Sequence, residues 1–331
     1  MSQFKVYVTD YNYSTFVPEK EVLDELGIEL TLKQCQTEDE IIEQCHDADA
    51  LLNQYGPISR KVIESLDQLK VVARYGIGFN TVDIDAATEN GVIVTNVTDY
   101  CLDEVSDHTM ALLLSGTRKV TLMNNEVKSG NWDFKVAKPV YRMRGSVLGL
   151  LGFGNIAQTV AKKAQAFGVE VYAYDPFIPQ EVADSLGVKL VDLDELYKQS
   201  DYVSVHLPLN EQTEKLVSHD AFKQMKSHTY IINTSRGGVI DEVALIEALE
   251  SGEIAGAGLD VLETEPIQED HPFLSMDQVL LNPHAAFYSE EAEAELKRKA
   301  AQNVADVSKG KFPTYVVNKN VKESLDLQEK K

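Results

Sequence analysis

Short apolar runs alternate with amphipathic stretches along nearly the whole chain. In the first third, Lys5 to Thr9, Glu29 to Lys33, Ala50 to Asn53, Val71 to Arg74 and Val92 to Asn96 read as buried strands, with helical stretches such as Glu19 to Leu26 and Glu38 to Cys45 between them. A second series runs through Val147 to Leu151, Glu170 to Tyr174, Tyr202 to His206, Tyr230 to Asn233, Gly256 to Leu259 and Val279 to Leu281. Strands alternating with helices bury both faces of a parallel sheet, so the pattern predicts an α/β chain with two doubly wound parallel-sheet domains. Two long helical segments, Leu102 to about Ser129 and Glu290 to Ser308, lie at the seams. The second predicts a return to the first domain, giving a discontinuous domain of residues 1–100 and 289–331 and a second domain of residues 101–288. Two domains with a cleft between them invite hinge closure, a rigid pair being the alternative. The polar tail from Asn318 to Lys331 reads as frayed at its end.

The second series opens on a glycine turn, Gly152-Phe153-Gly154-Asn155-Ile156-Ala157, set between the strand ending at Leu151 and a helix predicted over Ala157 to Phe167. Alone, such a turn is weak. Here a second strand follows and ends at Asp175, about 20 residues on, where a carboxylate accepts from ribose hydroxyls. Gly152 permits the tight turn, Gly154 lets backbone approach a pyrophosphate, and the helix start offers unpaired N–H groups. The combination predicts a dinucleotide site. The cofactor expected is NAD, because Asp175 repels a 2′-phosphate and Pro176-Phe177-Ile178 offers no cation to receive one.

Composition narrows the classes. The 331 residues suit two domains, and the net charge of −22 disfavours nucleic acid or an anionic membrane as a partner. No run has the length of a membrane helix, and the start, Met1 to Lys5, reads straight into a strand with no leader. Three cysteines without metal spacing read as reduced thiols in a cytoplasmic protein, and no metal is expected.

Open α/β sheets bind ligands past the carboxyl ends of their strands. Three such ends carry chemistry: Thr234-Ser235-Arg236-Gly237-Gly238, Asp260-Val261 leading to Glu265-Pro266, and Asn282-Pro283-His284-Ala285. Arg236 offers a planar fork to a carboxylate, and a His beside a Glu makes an imidazole that holds a proton near neutral pH. Singly, Arg236 reads as well as a surface ion pair, Glu265 as an acid before Pro266, and His284 as a core histidine. Three on one nucleotide-binding sheet predict a site.

With Arg74-Tyr75-Gly76-Ile77-Gly78-Phe79-Asn80 added, these motifs span nearly the whole chain, which resembles the D-isomer-specific 2-hydroxyacid dehydrogenase family. The branch suggested lies near phosphoglycerate dehydrogenase-like enzymes and the C-terminal-binding-protein corepressors. The resemblance implies a Rossmann nucleotide domain plus a flavodoxin-like substrate domain, and interconversion of a small 2-oxo acid and a D-2-hydroxy acid. It gives Arg236 the substrate carboxylate, His284 the acid/base role and Glu265 the partnership of His284. Substrate contacts fall to Asn53, Tyr55, Tyr75, Gly76, Ile77, Gly78 and Phe287 beside Arg236 and His284. The cofactor would be lined by Gly152, Gly154, Asn155, Ile156, Asp175, His206, Pro208, Thr213, Thr234 and Asp260, again with Arg236 and His284. The loop Asn53-Gln54-Tyr55-Gly56 lacks the cation with which phosphoglycerate dehydrogenases bind phosphate, which implies an unphosphorylated acid. The family usually dimerises through its nucleotide domains, and Leu102 to Met123 has apolar residues for that or for a core. An NADH-binding corepressor-like scaffold with little turnover is the alternative function.

Overall fold

The computed structural model describes residues 4–329, so the expectations placed on Met1 to Gln3 and on Lys330 and Lys331 lie outside the described residues. The chain divides into two compact units, residues 1–100 with 289–331 and residues 101–288. Among the described residues, the first unit holds a five-stranded parallel sheet and the second a seven-stranded parallel sheet.

The first sheet is built from β1 (Val6–Val8), β2 (Leu30–Leu32), β3 (Ala50–Asn53), β4 (Val71–Arg74) and β5 (Ile93–Thr95), ordered β2-β1-β3-β4-β5. This is the flavodoxin-like order. β3 is buried at every position, as a central parallel strand covered on both faces must be. The first helix, Val17–Asp24, starts earlier than the pattern suggests because Pro18 suits the first helical turn. Helix Glu290–Ser308, capped by the Ser289 side chain on the Ala292 N–H, packs on Val17–Asp24 and on β3 and β4. The tail is tied down further than its polarity suggests: a 3₁₀ turn covers Lys319–Ser324, and Gln328 exchanges backbone hydrogen bonds with Gly310 and Phe312.

The second sheet is ordered β12-β11-β10-β9-β6-β7-β8, from β6 (Val147–Leu151), β7 (Glu170–Tyr174), β8 (Lys189–Leu190), β9 (Tyr202–Val205), β10 (Tyr230–Asn233), β11 (Gly256–Leu259) and β12 (Val279–Leu281). The order reverses between β6 and β9, the switch point at which such sheets bind ligands. β8 is a two-residue edge strand, too short to leave a pattern. The helix after β6 runs over Asn155–Gln165 and buries Ala157, Val160, Ala161 and Ala164, one stripe at helical spacing.

The single helix expected from Leu102 to Ser129 is two. Leu102–Arg118 buries Val105, Thr109, Met110, Leu112 and Leu113 in its own unit. The chain then turns left-handed at Lys119, with φ 55°, before Val120–Lys128, which buries nothing. With no core face beyond Arg118, nothing holds one continuous axis. Among the described residues no helix is long and apolar enough to cross a membrane, and no group of three or more metal-ligating side chains occurs.

Candidate active site

The glycine turn sits at the carboxyl end of β6. Gly152 has φ +90°, and a Cβ there would lie 2.9 Å from the His206 carbonyl oxygen, so the turn packs against the end of β9. Gly154 differs: a Cβ there would meet nothing within 4 Å. Its bareness answers no demand of the protein's own packing and leaves open space at the helix start. As the N-cap of Asn155–Gln165, Gly154 supplies no side-chain cap, and no acidic residue stands in the first turn. Such a helix end suits a phosphate. Asp175, past β7, accepts the Phe153 N–H on Oδ2 at 2.8 Å and the Phe177 N–H on Oδ1 at 2.9 Å. Each oxygen retains a lone pair for a ribose hydroxyl. These residues fit a dinucleotide.

Other residues expected at the cofactor bond within the protein. The His206 ring bonds Ser204 Oγ at 2.9 Å, and burial pushes it down to about 4, so the ring is neutral near pH 7. Thr213 donates its hydroxyl to the Pro208 carbonyl and closes that turn. Thr234 meets Thr109 hydroxyl to hydroxyl at 2.8 Å. Asp260, 2% exposed, receives the N–H groups of Ala285 and Ala286 on its two oxygens at 2.8 and 2.9 Å, and its carbonyl takes the His284 N–H at 2.8 Å. Its carboxylate therefore builds the loop that carries His284.

Three loops of this unit carry the chemical trio. His284 has φ 53°, a left-handed conformation uncommon outside glycine, held by those bonds to Asp260. Its Nδ1 lies 2.7 Å from Glu265 Oε2, while Glu265 Oε1 accepts the Leu262 N–H at 3.0 Å. Burial pulls the Glu265 carboxyl upward, but the bonds from His284 and Leu262 and the charges of His284 and Arg236 outweigh it, and it titrates below the usual carboxylate range. With Nδ1 engaged, Nε2 is the ring atom left to exchange a proton. Arg236 Nη1 donates to the Ser235 carbonyl at 2.6 Å. Its loop is held by buried Asn233, whose Oδ1 accepts from Ser235 N and Oγ and whose Nδ2 donates to the Arg236 carbonyl. At Gly237 a Cβ would fall 1.9 Å from the Leu262 carbonyl carbon, so the Arg236 loop and the Glu265 loop touch backbone to backbone. Asn233 and Gly237 flank the Arg236 motif in the sequence, where neither is given a role of its own. Their signal was an amide at a strand end and a glycine after the Arg. Phe287 is half-buried beside the His284 loop.

In the first unit, two side chains expected as substrate contacts are bonded within the protein. Asn53 is fully buried, and its Nδ2 donates to Thr9 Oγ1, Asp10 Oδ1 and the Gly56 carbonyl, so it builds the loop after β3. Tyr75 is 2% exposed, its hydroxyl donates to buried Glu19 at 2.9 Å, its N–H donates to the Asn53 carbonyl, and its own carbonyl accepts from Arg74 Nη1. Tyr55 is exposed. The carbonyls of Gly76 and Ile77 turn inward, to Val97 N–H and Asn96 Nδ2. The loop after β3 is also not without a cation nearby: the Arg74 guanidinium lies 5.9 Å from the Tyr55 ring centre. Burial lowers that guanidinium's proton affinity, against the nearby Tyr13, Tyr55 and Asp10.

Residues 110–286 match the family model described as D-isomer specific 2-hydroxyacid dehydrogenase, NAD binding domain. The chain is 38% identical to a glyoxylate reductase of Korarchaeum cryptofilum over 287 residues, covering 85% of this chain and 86% of that protein. It is 39% identical to a D-3-phosphoglycerate dehydrogenase of Methanocaldococcus jannaschii over 95% of its own length, and spans 59% of that relative. The crystal structure of a glyoxylate reductase from Paecilomyes thermophila superposes with a TM-score of 0.87 at 29% identity, over 96% of this chain and 99% of that one. The second unit is an NAD-binding domain, and the chain belongs to the D-isomer specific 2-hydroxyacid dehydrogenase family.

Proposed function

We propose that the protein reduces a small 2-oxo acid to the D-2-hydroxy acid with NADH, using His284 as the acid, Glu265 as its partner and Arg236 as the substrate anchor. The observation that carries this reading is the 2.7 Å contact between His284 Nδ1 and Glu265 Oε2, on a loop whose left-handed turn is held by Asp260. Bound NADH supplies a hydride to C2. Arg236 holds the carboxylate in its planar fork and lowers the energy of charge developing on the carbonyl oxygen. His284 Nε2 gives that oxygen its proton, and in the reverse direction takes it back. Glu265 stays charged and favours the protonated ring. His206, Pro208, Thr213 and Thr234 line the cofactor beside the glycine turn and Asp175.

For the substrate, relatives named glyoxylate reductase support a small unphosphorylated acid such as glyoxylate, hydroxypyruvate or pyruvate. Steady-state turnover with these three and with phosphohydroxypyruvate tests the proposal. Turnover of the small acids is expected, with the phosphorylated one no better. A clear preference for the latter would point to a cation outside the Asn53 to Gly56 loop, Arg74 or Lys138, as the phosphate's partner, and no turnover of any would favour an NADH-binding scaffold. We place the protein in the cytoplasm, since its three cysteines are buried free thiols. We also propose a homodimer. Exposed apolar side chains of the nucleotide unit include Trp132, Phe134 and Tyr141, past the helix Leu102–Arg118, and a monomer on a calibrated sizing column would contradict it.

A further inference from the structure

Behind the loop that carries His284 lies a pair of titratable side chains that the reaction above does not use. Asp260 holds that loop through both carboxylate oxygens and its carbonyl. His108, on the helix Leu102–Arg118, presents Nε2 to Asp260 Oδ1 at 3.6 Å. That nitrogen is buried and has no hydrogen-bond partner. A buried polar atom without a partner is costly, and a shift of roughly 0.5 Å would bring this pair into hydrogen-bond range. The next residue, Thr109, meets Thr234 on the loop leading to Arg236. One turn of this helix therefore abuts both the loop leading to Arg236 and the Asp260 carboxylate that holds the His284 loop.

We propose that His108 is a positioning residue for the acid/base loop, acting on His284 through Asp260; the proposal rests on the reductase reading above. With its proton on Nε2, the imidazole donates toward Asp260 Oδ1 and fixes the rotation of the carboxylate. The carboxylate in turn fixes the N–H groups of Ala285 and Ala286, and with them the left-handed turn that aims His284.

The test uses the full chain. His108→Phe keeps the ring volume and removes the donor, while His108→Gln restores a donor at about the reach of Nε2. In His108→Phe, kcat should fall about tenfold, the scale of one hydrogen bond to a charged group, with KM for NADH and for glyoxylate within about twofold. His108→Gln should recover most of the loss, which a space-filling role would not allow. The double variant His108→Phe with Asp260→Asn should be no slower than Asp260→Asn alone. Amide exchange at Ala285 and Ala286 should quicken in His108→Phe. That readout does not depend on turnover, so an inactive wild type would count against the reductase reading and leave this proposal standing or falling on exchange. Unchanged kcat and exchange in His108→Phe, or losses that multiply in the double variant, would overturn it. If His108→Phe does not fold, His108→Asn, whose amide stops short of the Nε2 position, takes its place with the same expectations.

Discussion

Gly237→Ala is the smallest change that should separate catalysis from cofactor binding. The added Cβ would lie 1.9 Å from the Leu262 carbonyl carbon, 2.0 Å from its oxygen and 2.4 Å from the Glu263 nitrogen. All three are backbone atoms, so no side chain can swing aside. Carbon atoms rest at about 3.5 Å, so the two loops must part by about 1.5 Å. One loop carries Arg236, and the other carries Glu265 three residues on from Leu262. Overpacking of this kind costs about 1–3 kcal/mol, which for a domain of this size lowers Tm by about 2–12 °C. The effect on rate should be larger, because a displacement of about 1 Å in a catalytic constellation costs about a hundredfold. The assay is kcat/KM with glyoxylate, beside NADH affinity by fluorescence titration and Tm by calorimetry. The expected result is a rate loss of about a hundredfold with NADH binding nearly unchanged, since the glycine turn and Asp175 stand on other strands. A folded variant that keeps kcat within about threefold would refute the argument that this contact sets the distance between Arg236 and the dyad.

Gly154→Ala should do the reverse: Tm of the free protein stays within about 1 °C, because a Cβ there meets nothing, while NADH affinity falls at least about tenfold in the same titration. Asp175→Ala should narrow the preference for NADH over NADPH, read as kcat/KM for each at low salt, chiefly by removing repulsion of the 2′-phosphate. Asp201 bonds Lys226, His228 and the Val147 N–H; burial raises its carboxyl, these partners outweigh it, and it titrates below the usual range. A depressed carboxylate lends stability above its unfolded value of about 3.9 and loses it as pH falls through the folded one. Asp201→Asn should therefore lower Tm at pH 7 and flatten its decline below about pH 4, and parallel Tm curves for both proteins would contradict this.

Most of the architecture is legible in the chain because parallel strands are buried on both faces. Ala50–Asn53, Tyr202–Val205 and Tyr230–Asn233 are buried throughout and read as apolar runs. The glycine turn and the three strand-end loops are legible because each joins a backbone requirement to a chemical group within a few residues. What was not legible depends on burial set by distant segments. Asn53 and Tyr75 stand in the right loops, yet Asp10 and Glu19, far off in sequence, turn their side chains inward. The residue that turns left-handed at the break is a lysine, Lys119, where a glycine would have announced it. Gly237 looks like a flexible glycine until the Leu262 carbonyl is seen against it.

The proposed reduction requires that Glu265 hold the proton on His284. Reduction needs that proton, and an imidazole without a partner loses it as pH rises through about 6.5. The Glu265 carboxylate lies 2.7 Å from His284 Nδ1, and that contact helps hold it below the usual carboxylate range, so it stands charged beside the ring. The direct measurement is kcat/KM against pH for the wild type and Glu265→Gln with one good 2-oxo acid, NADH affinity being checked in both. The falling limb should move to lower pH in Glu265→Gln, so that the rate drops more at pH 8 than at pH 6. Superimposable falling limbs would contradict it.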